Sequence, residues 1–319
     1  LHDAFGIMLP TGFYGGHGTA AAIGAAFEGL NWEDARSLGM MTATIGVIWA
    51  IVGGLICIKW ATRHKQTAFI SDFEELPEEL RSGLVPNEKR TSIGSATTSS
   101  ISIDSLTFHF ALICVAALVG YLCSRGVKSY YPMLELPVFS CAFVASLLLK
   151  RVFDWTKISR YVCPQTTIRI GSMSTDLLVA FGVASIKLSV IVKYAVPLIV
   201  LIVLGTIVTF LITFYFGRRL SKNYWFERTI FAWGWWTGTM AMGIALLRIV
   251  DPKLSSKAME DYALAYLPIA PLEILLITFV PVLFANGMGV WLLLGCLALA
   301  ALTILVAWLM KWFVPVKRG

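Results

Sequence analysis

Apolar stretches of about 20 residues recur along this 319-residue chain with only short polar joints between them. As a helix, each is long enough to cross the roughly 30 Å hydrocarbon core of a bilayer. Inside lipid every backbone N–H and C=O must pair within its own segment, so the recurrent unit is a helix. Composition agrees: 57% of residues are hydrophobic, 14% are charged, and the mean hydropathy is +0.76. A water-soluble domain of this size does not stay monomeric while exposing so much apolar surface. The chain reads as an all-α polytopic membrane protein whose first partner is the lipid bilayer.

The segment Phe5 to Phe27 is apolar but interrupted by Pro10, Gly12, Gly15, Gly16 and Gly18, which discourage a continuous helix and predict a break followed by a half-helix from about Thr19. A clear span follows at Leu38 to Ile58. Residues 61–105 are hydrophilic, with an acidic run at Glu74, Glu75, Glu78 and Glu79 and a Ser/Thr-rich stretch after it. That composition does not build a core and is expected to form a solvent-side linker. Further spans are expected at Leu106 to Cys123, Leu136 to Leu149, Leu177 to Ile191 and Ala195 to Phe216. Thr229 to Val250 is again interrupted by glycine, and spans at Ala263 to Ala285 and Val290 to Met310 close the chain. The expected organisation is a first membrane portion over 1–60 (broken element 5–27, span 38–58), a cytoplasmic linker over 61–105, a second membrane portion over 106–285 (broken element 229–250), and an additional span and tail over 286–319. Starting at Leu1 within a Gly-rich segment, the chain is expected to lack upstream spans.

The net charge of +7 does not point to nucleic acid, because Lys and Arg sit at the ends of apolar runs and form no single basic face. With the linker cytoplasmic, that side also holds Lys150, Arg151, Arg218, Arg219, Lys222, Arg228, Arg248, Lys317 and Arg318 among others. The opposite side holds Arg36, Arg125, Lys128, Lys187 and Lys193. The count works only when Thr229 to Val250 enters and leaves on the cytoplasmic side, and the first Gly-rich segment then dips in from the outside. The six cysteines have no CxxC or Cys/His metal spacing.

Two oppositely oriented Gly/Thr breaks at membrane depth are the sequence pointer to a midplane site in an inverted-repeat secondary transporter. Unwound carbonyls replace the water shell of Na⁺, and a half-helix N-terminus offers N–H groups and a positive dipole end to an anion. The candidate site residues are Gly15, Gly16, His17, Gly18 and Thr19 in the first break and Gly234, Trp236, Thr237, Gly238 and Thr239 in the second. Na⁺ is expected at Gly16, Gly18, Thr237 and Gly238, with no cofactor. Glu273 joins them as a carboxylate inside an apolar run, where a charge is expensive. Trp235 and Trp236 either line the substrate path or pack between helices, and Asp176 and Lys187 read as interfacial anchors. No HExxH, GxSxG or facing carboxylate pair marks an enzyme. An ion channel or a proton-coupled carrier of another organic anion stays open as an alternative.

The string Gly15-Gly16-His17-Gly18-Thr19-Ala20-Ala21 resembles the re-entrant motif of the bacterial sodium/glutamate symporter family. Similarity extends to Glu135-Leu136-Pro137, to Lys187-Leu188 followed by Val196-Pro197, and to Lys222-Asn223-Tyr224, covering most of residues 1–285. The resemblance implies an inner-membrane homodimer of two inverted five-span repeats that moves glutamate or a related anionic amino acid with Na⁺. The chain departs from the family pattern in its second motif, Gly234-Trp235-Trp236-Thr237-Gly238-Thr239-Met240, in the apparently missing upstream helices, and in the extra span at Val290 to Met310.

Overall fold

The structure, a computed structural model, describes residues 1–69, 82, 84–90, 92–99, 101–130, 136 and 138–313. The acidic run at 74–79, Glu135, Pro137, Lys317 and Arg318 lie outside the described residues. A 3₁₀ turn at Phe5–Ile7 and a π-helical turn at Leu9–Tyr14 lead into α1 (Gly16–Gly29) and α2 (Ala35–Arg63). Next come α3 (Ser105–Tyr130), α4 (Val138–Trp155), α5 (Pro164–Ala184) and α6 (Leu188–Leu220). The chain continues through α7 (Trp225–Thr237), α8 (Met240–Val250), α9 (Ala258–Tyr266), α10 (Ala270–Ala285) and α11 (Gly289–Leu309). Among the described residues four helices, α2, α3, α6 and α11, are long and apolar enough to cross a membrane, and the α9–α10 pair makes a fifth if counted as one span. The protein is an all-helical, polytopic membrane protein.

Two expected spans are placed differently. Leu177 to Ile191 straddles a joint: α5 ends at Ala184, and Lys187 adopts an extended conformation before α6 begins at Leu188. The apolar run continues through Pro197, whose missing N–H α6 tolerates, into a π-helical turn at Leu211–Phe216. Ala263 to Ala285 is bent by 58° between α9 and α10, where Pro268 and Pro271 fall within four residues of each other.

The chain divides into two compact units, one of residues 1–84, 185–273 and 283–319, the other of 85–184 and 274–282. In the first, α2 is the element on which the others lean. Gly39, Gly46 and Gly53 recur every seven residues, two helical turns, and so fall on one stripe. A Cβ added at Gly39 would lie 3.3 Å from the Ala20 carbonyl of α1, and one at Gly53 would lie 2.6 Å from the Trp233 ring of α7. Towards the Arg63 end, Ile58 and Ala61 join Phe226, Ile230, Leu247 and Val250 in a buried apolar cluster.

At the other end of α2, Asp34 accepts from Lys193 Nζ (2.7 Å) and from the Tyr194 hydroxyl (3.1 Å), tying this end to the start of α6. The Lys193 hydrogen bond holds the Asp34 carboxyl below its ordinary value. A depressed carboxyl contributes stability above its unfolded value and loses it as pH falls through the lower folded value. The thermal midpoint of Asp34→Asn should therefore sit slightly below that of the native chain at pH 7, and the gap should close well below pH 4. A gap that widened on acidification would contradict this assignment.

The second unit is built from α3, α4 and α5. A Cβ at Gly120 of α3 would lie 2.4 Å from the Ala142 backbone of α4, and Ser140 pairs with Thr278 at 2.9 Å. His109, fully buried, has Nδ1 2.5 Å from the Ser105 carbonyl and accepts from the Cys163 backbone at Nε2 (2.7 Å). That histidine is a satisfied core residue.

Candidate functional site

In a continuous helix, residues 234 and 243 stand about 13 Å apart. Here a Cβ at Gly234 would lie 2.8 Å from the Gly243 backbone, and one at Gly243 would lie 2.7 Å from the Phe231 carbonyl. The chain therefore folds back on itself between α7 and α8, and two facing glycines let the arms touch. Trp233 Nε1 donates to the Ala50 carbonyl (3.3 Å), a Cβ at Gly46 would lie 2.5 Å from the Thr237 carbonyl, and on the return arm Leu246 packs against Gly54. The hairpin thus climbs α2 from its Ile58 end to mid-helix and returns. Its root is fixed by Glu227, which accepts from the Ala68 backbone (2.7 Å).

The first broken element approaches the same point from the opposite end. His2 stacks on Trp32 at 4.2 Å, and Thr42 donates to the Met8 carbonyl (3.0 Å). The chain then reaches Phe13, whose carbonyl would lie 2.9 Å from a Cβ at Gly46. From there α1 runs back, past Ala20 against Gly39, to Gly24 against Arg36. Tyr14 fastens the turning point to α6: its hydroxyl donates to the Gly205 carbonyl (3.1 Å) and accepts from Thr209 (2.9 Å).

The two breaks meet. Gly16, at φ +70°, places the Cβ position it leaves vacant 3.4 Å from the Gly238 carbonyl and 3.6 Å from Thr239 Cγ2. The N-termini of α1 and α8 therefore lie side by side at the depth of Gly46 and Ala50. First-turn N–H groups lack intrahelical acceptors, and each helix end carries about half a positive charge. Thr239 caps α8 by accepting from Met242 (3.4 Å). The carbonyls of Phe13 and Thr237 face Gly46 and that of Gly238 faces Gly16, so hard oxygen donors line the same breaks whose helices present positive dipole ends.

The remaining candidates fall into place around this junction. Gly15 is the tight turn into α1, where a Cβ would lie 2.5 Å from the Thr11 carbonyl; Gly18 is exposed with open space beside it, and Thr19 is half-buried one turn into α1. His17 is buried, with Nε2 3.1 Å from the Thr44 hydroxyl. Thr44 donates its own proton to the Met40 carbonyl (2.8 Å), so His17 carries its proton on Nε2, and Nδ1 is a buried acceptor without a partner among the described residues. Thr237 donates its hydroxyl proton to the Trp233 carbonyl (2.7 Å), and its own carbonyl faces Gly46. Trp236 is half-buried beside Trp235, with ring centroids 6.5 Å apart.

Glu273 accepts from the Tyr266 hydroxyl, within an aromatic group formed by Tyr262, Tyr266 and Trp235. Among the described residues it makes no recorded bond to either break. Glu273→Gln should leave the function of the junction within about twofold while lowering the thermal midpoint, because a hydrogen bond to a charged group is worth about 1.5–3 kcal/mol. A complete loss of function would place the carboxylate at the site.

Sequence reasoning passed over Thr11, Tyr14, Thr44 and Gly46. Thr11 Oγ1 is, like His17 Nδ1, a buried polar atom without a partner among the described residues. The readable signal for Gly46 was the seven-residue glycine stripe. No group of three His, Cys, Asp or Glu side chains able to hold a metal ion occurs among the described residues.

Residues 4–240 match the family model described as sodium/glutamate symporter. The chain is 27% identical over 214 residues to the sodium/glutamate symporter of Escherichia coli (strain K12), a match covering 66% of this chain and 49% of that protein. The same figures hold for the sodium/glutamate symporter of Shigella flexneri. The chain spans about half the length of the curated relatives it matches. No solved structure matches it. The matched region contains both breaks and ends at the head of α8.

Proposed function

Because the chain belongs to the sodium/glutamate symporter family, we propose that it carries glutamate or a related anionic amino acid or carboxylate across a bacterial inner membrane together with Na⁺. The observation that carries this reading is the meeting of the two breaks at Gly46, which sets two helix N-termini beside three backbone carbonyls. The N-termini suit a substrate carboxylate, and the oxygens suit a hard cation. Na⁺ takes the oxygens around Gly16, Gly18, Thr237 and Gly238, with Thr19 and Thr239 at the helix ends. The unpaired acceptor of His17 suits a substrate ammonium or a bound cation.

Opposite entry of the two elements fits alternating access by inverted repeats, with each break reached from one side. Coupling follows if Na⁺ completes the site for the anion, so that the half-loaded protein changes exposure poorly. The family also supplies the expectation of a homodimer. Trp236 flanks the site, and Glu273 belongs to the aromatic group beside α7.

Radiolabelled glutamate uptake by proteoliposomes tests the reading. Uptake driven by an inward Na⁺ gradient, and competed by unlabelled glutamate, supports it. Uptake driven equally by a proton gradient without Na⁺ would transfer the site to a proton-coupled carrier, and a current independent of either gradient's coupling would point to a channel.

A further inference from the structure

A cavity of about 370 Å³ opens beside the Arg63 end of α2, far along that helix from the junction of the breaks. Ile56, Cys57 and Trp60 form one wall, and Phe210 and Phe214, on and just before the π-helical turn of α6, form the other. Ile56 is 62% exposed and Phe210 47% exposed, both on helices long and apolar enough to span a membrane, so the opening faces the bilayer. The volume lies within the roughly 300–1,000 Å³ of small-molecule sites.

Among the described residues, one lining residue is charged. Arg218 closes the polar end of the cavity, its guanidinium 5.4 Å from the ring of Trp225. Among the described residues no carboxylate pairs with Arg218. Its neighbour Arg219 is engaged with Tyr215, both as hydrogen-bond donor and over the ring at 3.9 Å. Lys59 and Arg63 sit on the last turns of α2 and Lys222 in the joint just after α6, and all three add positive potential. Trp60 and Trp225 frame the opening, as tryptophans do at the level of lipid headgroups.

We propose that this cavity binds an anionic phospholipid, with its phosphate on Arg218 and one acyl chain between α2 and the π-helical turn of α6. An amino-acid substrate does not suit it, because among the described residues Arg218 is the one charged lining group and the walls are hydrocarbon and aromatic. A net negative headgroup answers the cationic helix ends, whereas a choline headgroup brings its own cation against them. Phe210 and Phe214 also pack on Trp233 of α7, with ring centroids 6.5 and 6.3 Å apart, so the bound chain touches the same aromatic side chains that hold the α7–α8 hairpin to α2.

Native mass spectrometry and thermal melting of the detergent-solubilised chain, titrated with dioleoylphosphatidylglycerol or dioleoylphosphatidylcholine, test this. Phosphatidylglycerol should be retained preferentially and raise the melting midpoint. Arg218→Gln should weaken its retention about fivefold, the loss of one cation at a membrane surface, while Arg218→Lys keeps the preference. Cys57→Trp, which fills the cavity, should abolish retention without lowering the lipid-free midpoint. Equal retention of both lipids by the native chain, or unchanged phosphatidylglycerol retention by folded Arg218→Gln, overturns the proposal.

Discussion

Gly46→Ala is expected to bring the proposed Na⁺-driven glutamate uptake to background, a fall on the order of 100-fold, with the protein still folded in the membrane. The added methyl would lie 2.5 Å from the Thr237 carbonyl and 2.9 Å from the Phe13 carbonyl, against a comfortable separation of about 3.5 Å. One of the two breaks must then retreat by about 1 Å. Overpacking of this kind costs about 1–3 kcal/mol in stability, but a 1 Å misplacement in a positioned site costs about 100-fold in rate. Gly126→Ala is the matched control, since nothing lies within 4 Å of its Cβ position. Native uptake by Gly46→Ala would mean that transport does not use the meeting of the breaks.

Gly16→Val is expected to have the second largest effect, for a different reason. Space around Gly16 is ordinary, with the nearest atom at 3.4 Å, but its φ of +70° is one that a β-branched residue resists. Holding valine there costs about 1–3 kcal/mol, and the relaxed backbone would turn the first N–H groups of α1 away from α8. Uptake should fall at least tenfold, with a weakened apparent affinity for Na⁺. Gly18→Ala separates strain from crowding: its φ is unremarkable and its surroundings are open, so it should fold normally. If Gly18→Ala nevertheless abolishes Na⁺ dependence, the open space beside Gly18 is where the cation sits.

Much of this architecture was legible because lipid leaves few options. Runs such as Leu38 to Ile58 and Val290 to Met310 emerge as helices with ends a few residues longer or almost unchanged. That the elements 5–27 and 229–250 are broken was readable from glycine and hydroxyl residues within apolar sequence, although the first half-helix, expected from about Thr19, begins at Gly16. Less legible was the joint at 185–187, because apolar residues continue on both sides and hydropathy does not register a three-residue turn. The 58° bend before α10 was readable from Pro268 and Pro271 but was submerged in a window averaged over one span. In the site, the glycines were visible as residue types, whereas their neighbours depend on packing. Thr237 was visible by its hydroxyl, but that the hydroxyl donates to its own helix was not, and neither was the approach of both breaks to Gly46. Glu273 looked isolated in an apolar run, but a tyrosine seven residues earlier supplies its partner across the bend.

The glycine stripe of α2 has a mechanical corollary. Gly39, Gly46 and Gly53 press, in order, on the returning arm of the first element, on both turning points, and on the outgoing arm of the second. One rod thus clasps both halves of the cradle along its whole length, with no slack for one half to slide while the other stays. A displacement of either break that keeps these contacts therefore carries α2 and the other break with it.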